Sequence, residues 1–217
     1  MTNFMNTDSI FKQRLICVAV IDKPEDAVPL AEALLAGGLN VMEVTFRTAG
    51  AADSIARIRG RLPQVVIGAG TLLSAEQVKQ AVGAGALFGV SPGLNESVLA
   101  EADKNDMPIF PGVMTPTEVG RALDLGCKNL KFFPAETAGG IKMLKALAGP
   151  FSHTGVKFVP TGGINAASLA DYLAVPQVAA IGGSWMAERK LVNEKAWSKI
   201  TALTAEAMKV IAPSQKS

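Results

Sequence analysis

The 217-residue chain contains one histidine and only two cysteines, Cys17 and Cys127. Zinc and transition-metal centres are built from clustered imidazoles, thiolates and carboxylates. One imidazole and two distant thiols leave such a centre without ligands, so no metal or other cofactor is expected. The thiols match no disulfide framework either, and the histidine shortage leaves a hydroxyl–imidazole–carboxylate nucleophile unsupported. His153 itself lies in "FSHTG", which reads as a surface loop. Basic residues number 21 against 19 acidic ones and form no run. Nucleic-acid binding needs clustered Lys and Arg, so no such partner is expected. An apolar stretch of the ~18 residues that a membrane span requires is missing. The start, "MTNFMNTDSI", lacks the charged-then-apolar pattern of a secretory signal, so a soluble, cytoplasmic location is expected. There is no Walker loop, and no GxGxxG after a strand, which argues against nucleotide phosphate transfer and hydride transfer.

What is present is apolar residue, 49% of the chain, in short β-branched runs separated by helical patterns. Strands are expected near 15–21, 40–46, 65–69, 86–90, 108–112, 129–133, 156–160 and 178–182. The runs do not alternate cleanly, as suits parallel strands buried on both faces. "SAEQ" at 74–77 and "TPTE" at 115–118 read as capping boxes, the second with Pro116 at the first helical position. Asn165 is a candidate cap for "AASLADYL". Gly37, Gly83 and Gly126 close helical patterns where a left-handed cap suits glycine. Eight strands alternating with helices allow an open doubly wound sheet or a closed barrel. The count of eight favours a (β/α)8 TIM barrel near the lower length limit of that fold. No linker divides it, so 1–217 is expected to be a single barrel domain, with an amphipathic extra N-terminal helix at 8–14 over one end.

Three units superimpose on a glycine: "GLNVMEVTF" from Gly38, "GALFGVSP" from Gly85 and "GCKNLKFFP" from Gly126. Five residues on stand Glu43, Val90 and Lys131. Inward side chains of one barrel layer come from alternate strands. Equal offset on strands 2, 4 and 6 therefore predicts Glu43 and Lys131 on facing walls. The competing readings are a lysine snorkelling outward past a helix and a purely structural ion pair. Shared offset of two opposite charges favours a functional site. An amine in a poorly hydrated pocket loses preference for its charged form. Free amine attacks a carbonyl carbon to give a Schiff base, and the protonated imine drains electrons from neighbouring bonds. A carboxylate within one-water reach can then move the protons.

Further candidates sit where strands end, the usual place for barrel sites. Arg47 follows "EVTF" and can grip a carboxylate or phosphate. Thr71 ends "GAGT", and Ser91 and Pro92 lie in "VSPG". "TGGIN" offers Thr161, Gly162 and Gly163, and "IGGSW" offers Gly182, Gly183 and Ser184. Two glycine turns on the last two strands match the common barrel phosphate site. Phe133 reads as core by default.

"GLNVMEVTFR" (38–47) and "GCKNLKFFPAETAG" (126–139) resemble the two signature stretches of the 2-keto-3-deoxy-6-phosphogluconate / 4-hydroxy-2-oxoglutarate aldolase family. The likeness runs on through "GAGT", "SPG", "AGPFS", "PTGGI" and "IGGSW". It implies a class I, Schiff-base aldolase on a (β/α)8 barrel without metal. Such an enzyme cleaves a 2-keto-4-hydroxy acid into pyruvate and an aldehyde, glyceraldehyde 3-phosphate in the Entner–Doudoroff route. By the same resemblance Lys131 forms the imine and Glu43 is the general acid/base. Arg47 and Thr71 bind the pyruvate end, with Pro92 and Phe133 lining the pocket. Thr161, Gly162, Gly163, Gly182, Gly183 and Ser184 hold the sugar chain and phosphate. A homotrimer is implied. Cys17 stands where relatives often carry proline, and the segment after Trp185 carries no identifiable chemistry. A phosphosugar isomerase and a phosphate-sensing barrel, both imine-free, are the competing functions.

Overall fold

The computed structural model describes residues 7–212. A one-turn helix α1 (Asp8–Phe11) leads into β1 (Leu15–Ala19), followed by α2 (Ala27–Ala36), β2 (Val41–Thr45), α3 (Ala51–Arg61), β3 (Val66–Gly70) and α4 (Ala75–Gly83). Next come β4 (Gly89–Val90), α5 (Glu96–Lys104), β5 (Ile109–Phe110), β6 (Gly112–Val113), α6 (Pro116–Asp124) and β7 (Asn129–Phe132). The remainder is α7 (Gly140–Ala148), β8 (Lys157–Pro160), α8 (Leu169–Leu173), β9 (Ile181–Gly183), α9 (Arg189–Asn193) and α10 (Trp197–Ile211). All pairings are parallel. Six strands form a curled sheet in the order β5-β4-β3-β2-β1-β9, and β6-β7-β8 form a second.

The expected fifth strand is split at Pro111. Proline has no N–H to give to a ladder, so pairing with β4 stops at Phe110 and pairing with β7 starts at Gly112. The chain crosses between sheets there, and the Lys131 N–H donates to the Pro111 carbonyl at 2.9 Å. On the other side, isolated parallel bridges pair Phe158 with Val178 and Thr161 with Gly182. The regular ladder is thus a six-stranded sheet plus a three-stranded one, rather than one uninterrupted ring of eight. Each of the eight expected strand regions does contain a strand.

Burial follows the expected two-sided pattern: every residue of β2 is buried. Between strands and helices pack residues such as Leu30, Leu34, Ile55 and Ile58, all fully or almost fully buried. Inside the sheet, Phe88 and Phe110 stack at 5.7 Å, with Phe11 of α1 tilted on Phe110 at 5.2 Å. The expected helix at 8–14 is therefore one turn long but does cover an end of the interior. Phe88 needs a glycine beneath it, because a Cβ on Gly68 would lie 2.3 Å from its ring.

Helix ends explain the shared offset. Gly38, Gly85 and Gly126 adopt φ of 91°, 87° and 81°. After each of them the next N–H reaches back across the turn: Leu39 to Leu34, Ala86 to Ala81 and Cys127 to Ala122, at 3.0, 3.0 and 2.9 Å. These are Schellman caps, so three helices hand over to three strands with identical geometry. The left-handed residues are Gly38 and Gly85, not the preceding Gly37 and Gly83, which stay outside that region. Thr115 and Glu118 form the reciprocal capping box with Pro116 in the first turn. Ser74 caps α4 by accepting from the Gln77 N–H, but the Gln77 side chain accepts from Leu73 instead of closing the box. Asn165 accepts from Ala167 and Ser168, forming an Asx turn ahead of α8 rather than its cap.

Candidate active site

A cavity of about 520 Å³ opens where β2, β3, β4, β7, β8 and β9 end. That volume is typical of small-molecule pockets. Lys131 in β7 and Glu43 in β2 line it from facing walls, with Nζ and Oε1 4.0 Å apart and exposures of 5% and 3%. The Schellman caps set both positions: five residues after each left-handed glycine, the pleat turns the side chain inward. Burial lifts the Glu43 carboxyl above its ordinary pKa, with the positive Lys131 opposing the rise. Its Oε1 has no hydrogen-bond partner. Lys131 Nζ also lies 4.9 Å from the centroid of the Phe133 ring, within cation–π range. A buried charge costs several kcal/mol when unpaired, and here the carboxylate and the ring face supply the compensation.

Arg47, exposed, lies two residues beyond β2 on the inward side of the mouth. Thr71 follows β3 with φ of 58°, a left-handed turn that sets it on the rim. Pro92 lines the wall after β4, whereas Ser91 is buried and donates to the Gly93 carbonyl, which ties its turn. Thr161, Gly162, Gly163, Gly182 and Ser184 also line the cavity. Gly183 does not: it is buried in β9, and a Cβ there would meet the Trp185 ring at 2.0 Å.

The two glycine pairs differ in kind. Gly162 and Gly163 turn the chain at φ of 104° and 81°. Gly182 and Gly183 belong to β9, where glycine gives room: a Cβ on Gly182 would lie 2.2 Å from Thr161 Oγ1. The N–H groups of Gly162, Gly163 and Ser184 donate to no backbone carbonyl among the described residues. Such bare amides are anion donors.

Several lining residues escaped the sequence reading: Val18, Val20, Thr45, Ile164, Ala187, Glu188 and Arg189. Thr45 was open to discovery, since period two along β2 puts it on the Glu43 face. Arg189 was not, because only folding brings α9 to the mouth. There it forks onto Asp22 at 2.8 and 2.6 Å, and the Arg189 and Asn193 donors lower the Asp22 pKa to about 2. His153 is exposed and apart from the cavity. No group of three or more His, Cys, Asp or Glu residues stands ready for a metal ion among the described residues. No described helix is long and apolar enough to cross a membrane.

Parallel strands joined by helices, with a lysine buried beside a carboxylate where the strands end, are the construction of an α/β lyase that works through an amine. The chain belongs to the KDPG and KHG aldolase family, whose model matches residues 7–203. It is 47% identical to the 2-dehydro-3-deoxy-phosphogluconate aldolase of Treponema pallidum over 94% of this chain and 96% of that one. Identity to the KHG/KDPG aldolase of Escherichia coli K12 is 45%, over 89% and 90% of the two chains. The crystal structure of KDPG aldolase from Legionella pneumophila, with pyruvate captured as a covalent carbinolamine, superimposes with a TM-score of 0.88. It is 42% identical and the match covers 94% of this chain and 98% of that one.

Proposed function

We propose that this chain is a class I aldolase that cleaves 2-keto-3-deoxy-6-phosphogluconate to pyruvate and glyceraldehyde 3-phosphate through a Schiff base on Lys131. The observation that carries the assignment of roles is the 4.0 Å approach of Nζ to the Glu43 carboxyl inside the cavity. Nζ attacks the C2 carbonyl and water leaves, giving a protonated imine. Glu43 takes the proton of the C4 hydroxyl. The C3–C4 bond then breaks, its electrons passing into the enamine as the aldehyde departs. Glu43 returns a proton to C3, and water releases pyruvate. A carboxyl whose pKa is raised by burial suits this two-way traffic, since acid/base efficiency peaks when the pKa nears the working pH. The carbinolamine held by the Legionella relative supports the covalent route.

Arg47 and Thr71 hold the carboxylate end, with Pro92 and Phe133 against the chain. Thr161 meets the hydroxylated carbons. The tail phosphate is held by the amides of Gly162, Gly163 and Ser184, with Gly182 shaping that wall; the free N–H groups support this. 4-Hydroxy-2-oxoglutarate, split into pyruvate and glyoxylate, is a second substrate, a reading supported by the name of the E. coli relative. No cofactor takes part. The framework is one domain, a closed (β/α)8 barrel in which β5 and β6 are one interrupted strand; the two bridges beside β9 support closure. The enzyme acts in the cytoplasm as a homotrimer.

Pyruvate with borohydride should irreversibly label wild-type protein on the peptide that carries Lys131. Lys131→Ala should stay folded, take no label and release no pyruvate. A folded wild type saturated with pyruvate that gains no mass would sink the imine mechanism. Pyruvate release from the phosphorylated six-carbon acid should exceed that from hydroxyoxoglutarate.

A further inference from the structure

Among the described residues, three buried side-chain polar atoms have no hydrogen-bond partner: Glu43 Oε1, Thr45 Oγ1 and Trp185 Nε1. Trp185 is not part of the cavity wall. Glu43 and Thr45 both are, two residues apart on β2. Thr45 is 2% exposed, so bulk water does not satisfy its hydroxyl. A buried hydroxyl without a partner is costly, and valine would fill the same volume without that cost. A threonine held this way points to a partner that arrives with the substrate.

The neighbourhood is kept open for such a partner. A Cβ on Gly70 would come within 2.6 Å of Glu43 Oε1 and 3.3 Å of Thr45 Cγ2. Glycine at position 70 therefore leaves both groups unobstructed. Glu43 and Thr45 follow one another on the inward face of β2, roughly 6.5–7 Å apart, and Arg47 lines the cavity two residues beyond the strand. Thr45 lies between the proton-transfer carboxyl and the guanidinium at the mouth. Lys131 Nζ lies 4.0 Å from Glu43 Oε1, and Thr45 lines the same cavity.

Resting on the aldolase reading above, we propose that Thr45 is a further catalytic residue whose hydroxyl donates to the oxygen that leaves the keto carbon. When Nζ has added to C2, that oxygen is the carbinolamine hydroxyl. It accepts a proton from the protonated Glu43 carboxyl and departs as water while the C=N⁺ bond forms. Thr45 keeps its own proton and supplies only a hydrogen bond to the departing oxygen. In imine hydrolysis the same contact receives the incoming water, with Glu43 taking its proton. Glu43 Oε1 and Thr45 Oγ1, which have no partner within the protein, then share one.

The test uses the full-length enzyme with Thr45→Val and Thr45→Ser. Rapid mixing with saturating pyruvate and a borohydride quench measures the rate at which the Lys131 imine forms, and thermal melting measures stability. Thr45→Val should slow imine formation by at least about tenfold, in line with losing one donor to a developing charge. Its half-saturating pyruvate concentration should hardly change, and its melting temperature should be equal to or above that of wild type. Thr45→Ser should stay within about threefold of wild type, because the donor is retained. Wild-type imine formation in Thr45→Val would overturn the proposal, as would a lower melting temperature, which would mean the hydroxyl has a structural partner. Equal slowing in both variants would also overturn it, by assigning the effect to the methyl group. A wild type that forms no imine removes the aldolase reading and this one with it; a trapped wild type with an unimpaired Thr45→Val removes this one alone.

Discussion

Glu43 and Lys131 show how one pair of residues couples stability to chemistry. Burial destabilises the carboxylate, and the lysine beside it offsets part of that cost. Because the folded pKa lies above the ordinary glutamate value of 4.5, the native state keeps, between 4.5 and that raised value, a proton that the unfolded chain has released. Stability attributable to Glu43 is therefore greatest below 4.5 and declines as pH rises through the raised value. Lys131→Met removes the charge that holds the pKa down. The Glu43 titration, followed by carbon NMR of labelled glutamate, should move further upward. The decline in stability, read from urea midpoints, should extend to higher pH. An unshifted titration would mean that the ammonium does not govern this carboxyl. At this scale the residue types and their offset were legible, since charge in an apolar strand stands out against its neighbours. The 4.0 Å separation was not, because it depends on two walls meeting.

At the scale of elements, the recurring unit is a Schellman cap followed by a strand. Glycine tolerates φ of 81° at position 126, while an alanine there pays for the left-handed conformation. Nothing lies within 4 Å of a Cβ built at that position, so packing adds no further cost. After allowance for the stiffer unfolded chain, Gly126→Ala should destabilise by about 1 kcal/mol. Chemical denaturation measures this. Since the substitution would tilt the hand-over into β7, pyruvate release should also be checked, and a variant more stable than wild type would contradict the cap. Caps depend on residues four or five apart, which is why Thr115–Glu118 and the three offsets could be read beforehand. Gln77 departed from expectation because its side chain accepts from the Leu73 N–H, and Asn165 because its Asx turn precedes a helix that begins only at Leu169. The split at Pro111 follows from a missing N–H, a cost visible in the residue itself once its neighbours on β4 and β7 are known.

For the whole molecule, the proposed trimer has a direct reading: sedimentation equilibrium should return three chain masses, and a single chain mass across the concentration range would refute it. Leu73 and Met114, 55% and 41% exposed on loops that follow β3 and β6, are apolar side chains that an assembly could cover. The order of strands and helices, the parallel sheet and the family were determined by the sequence alone. They rest on periodicity, caps and contiguous motifs, which are local in the chain. Only the tertiary structure decided that Arg189 of α9 faces the same cavity as Lys131. It also decided that the second glycine pair is strand rather than turn, and that Gly183 yields its space to Trp185. These depend on which distant surfaces come into contact, and steric fit between elements is settled by packing, not by spacing along the chain.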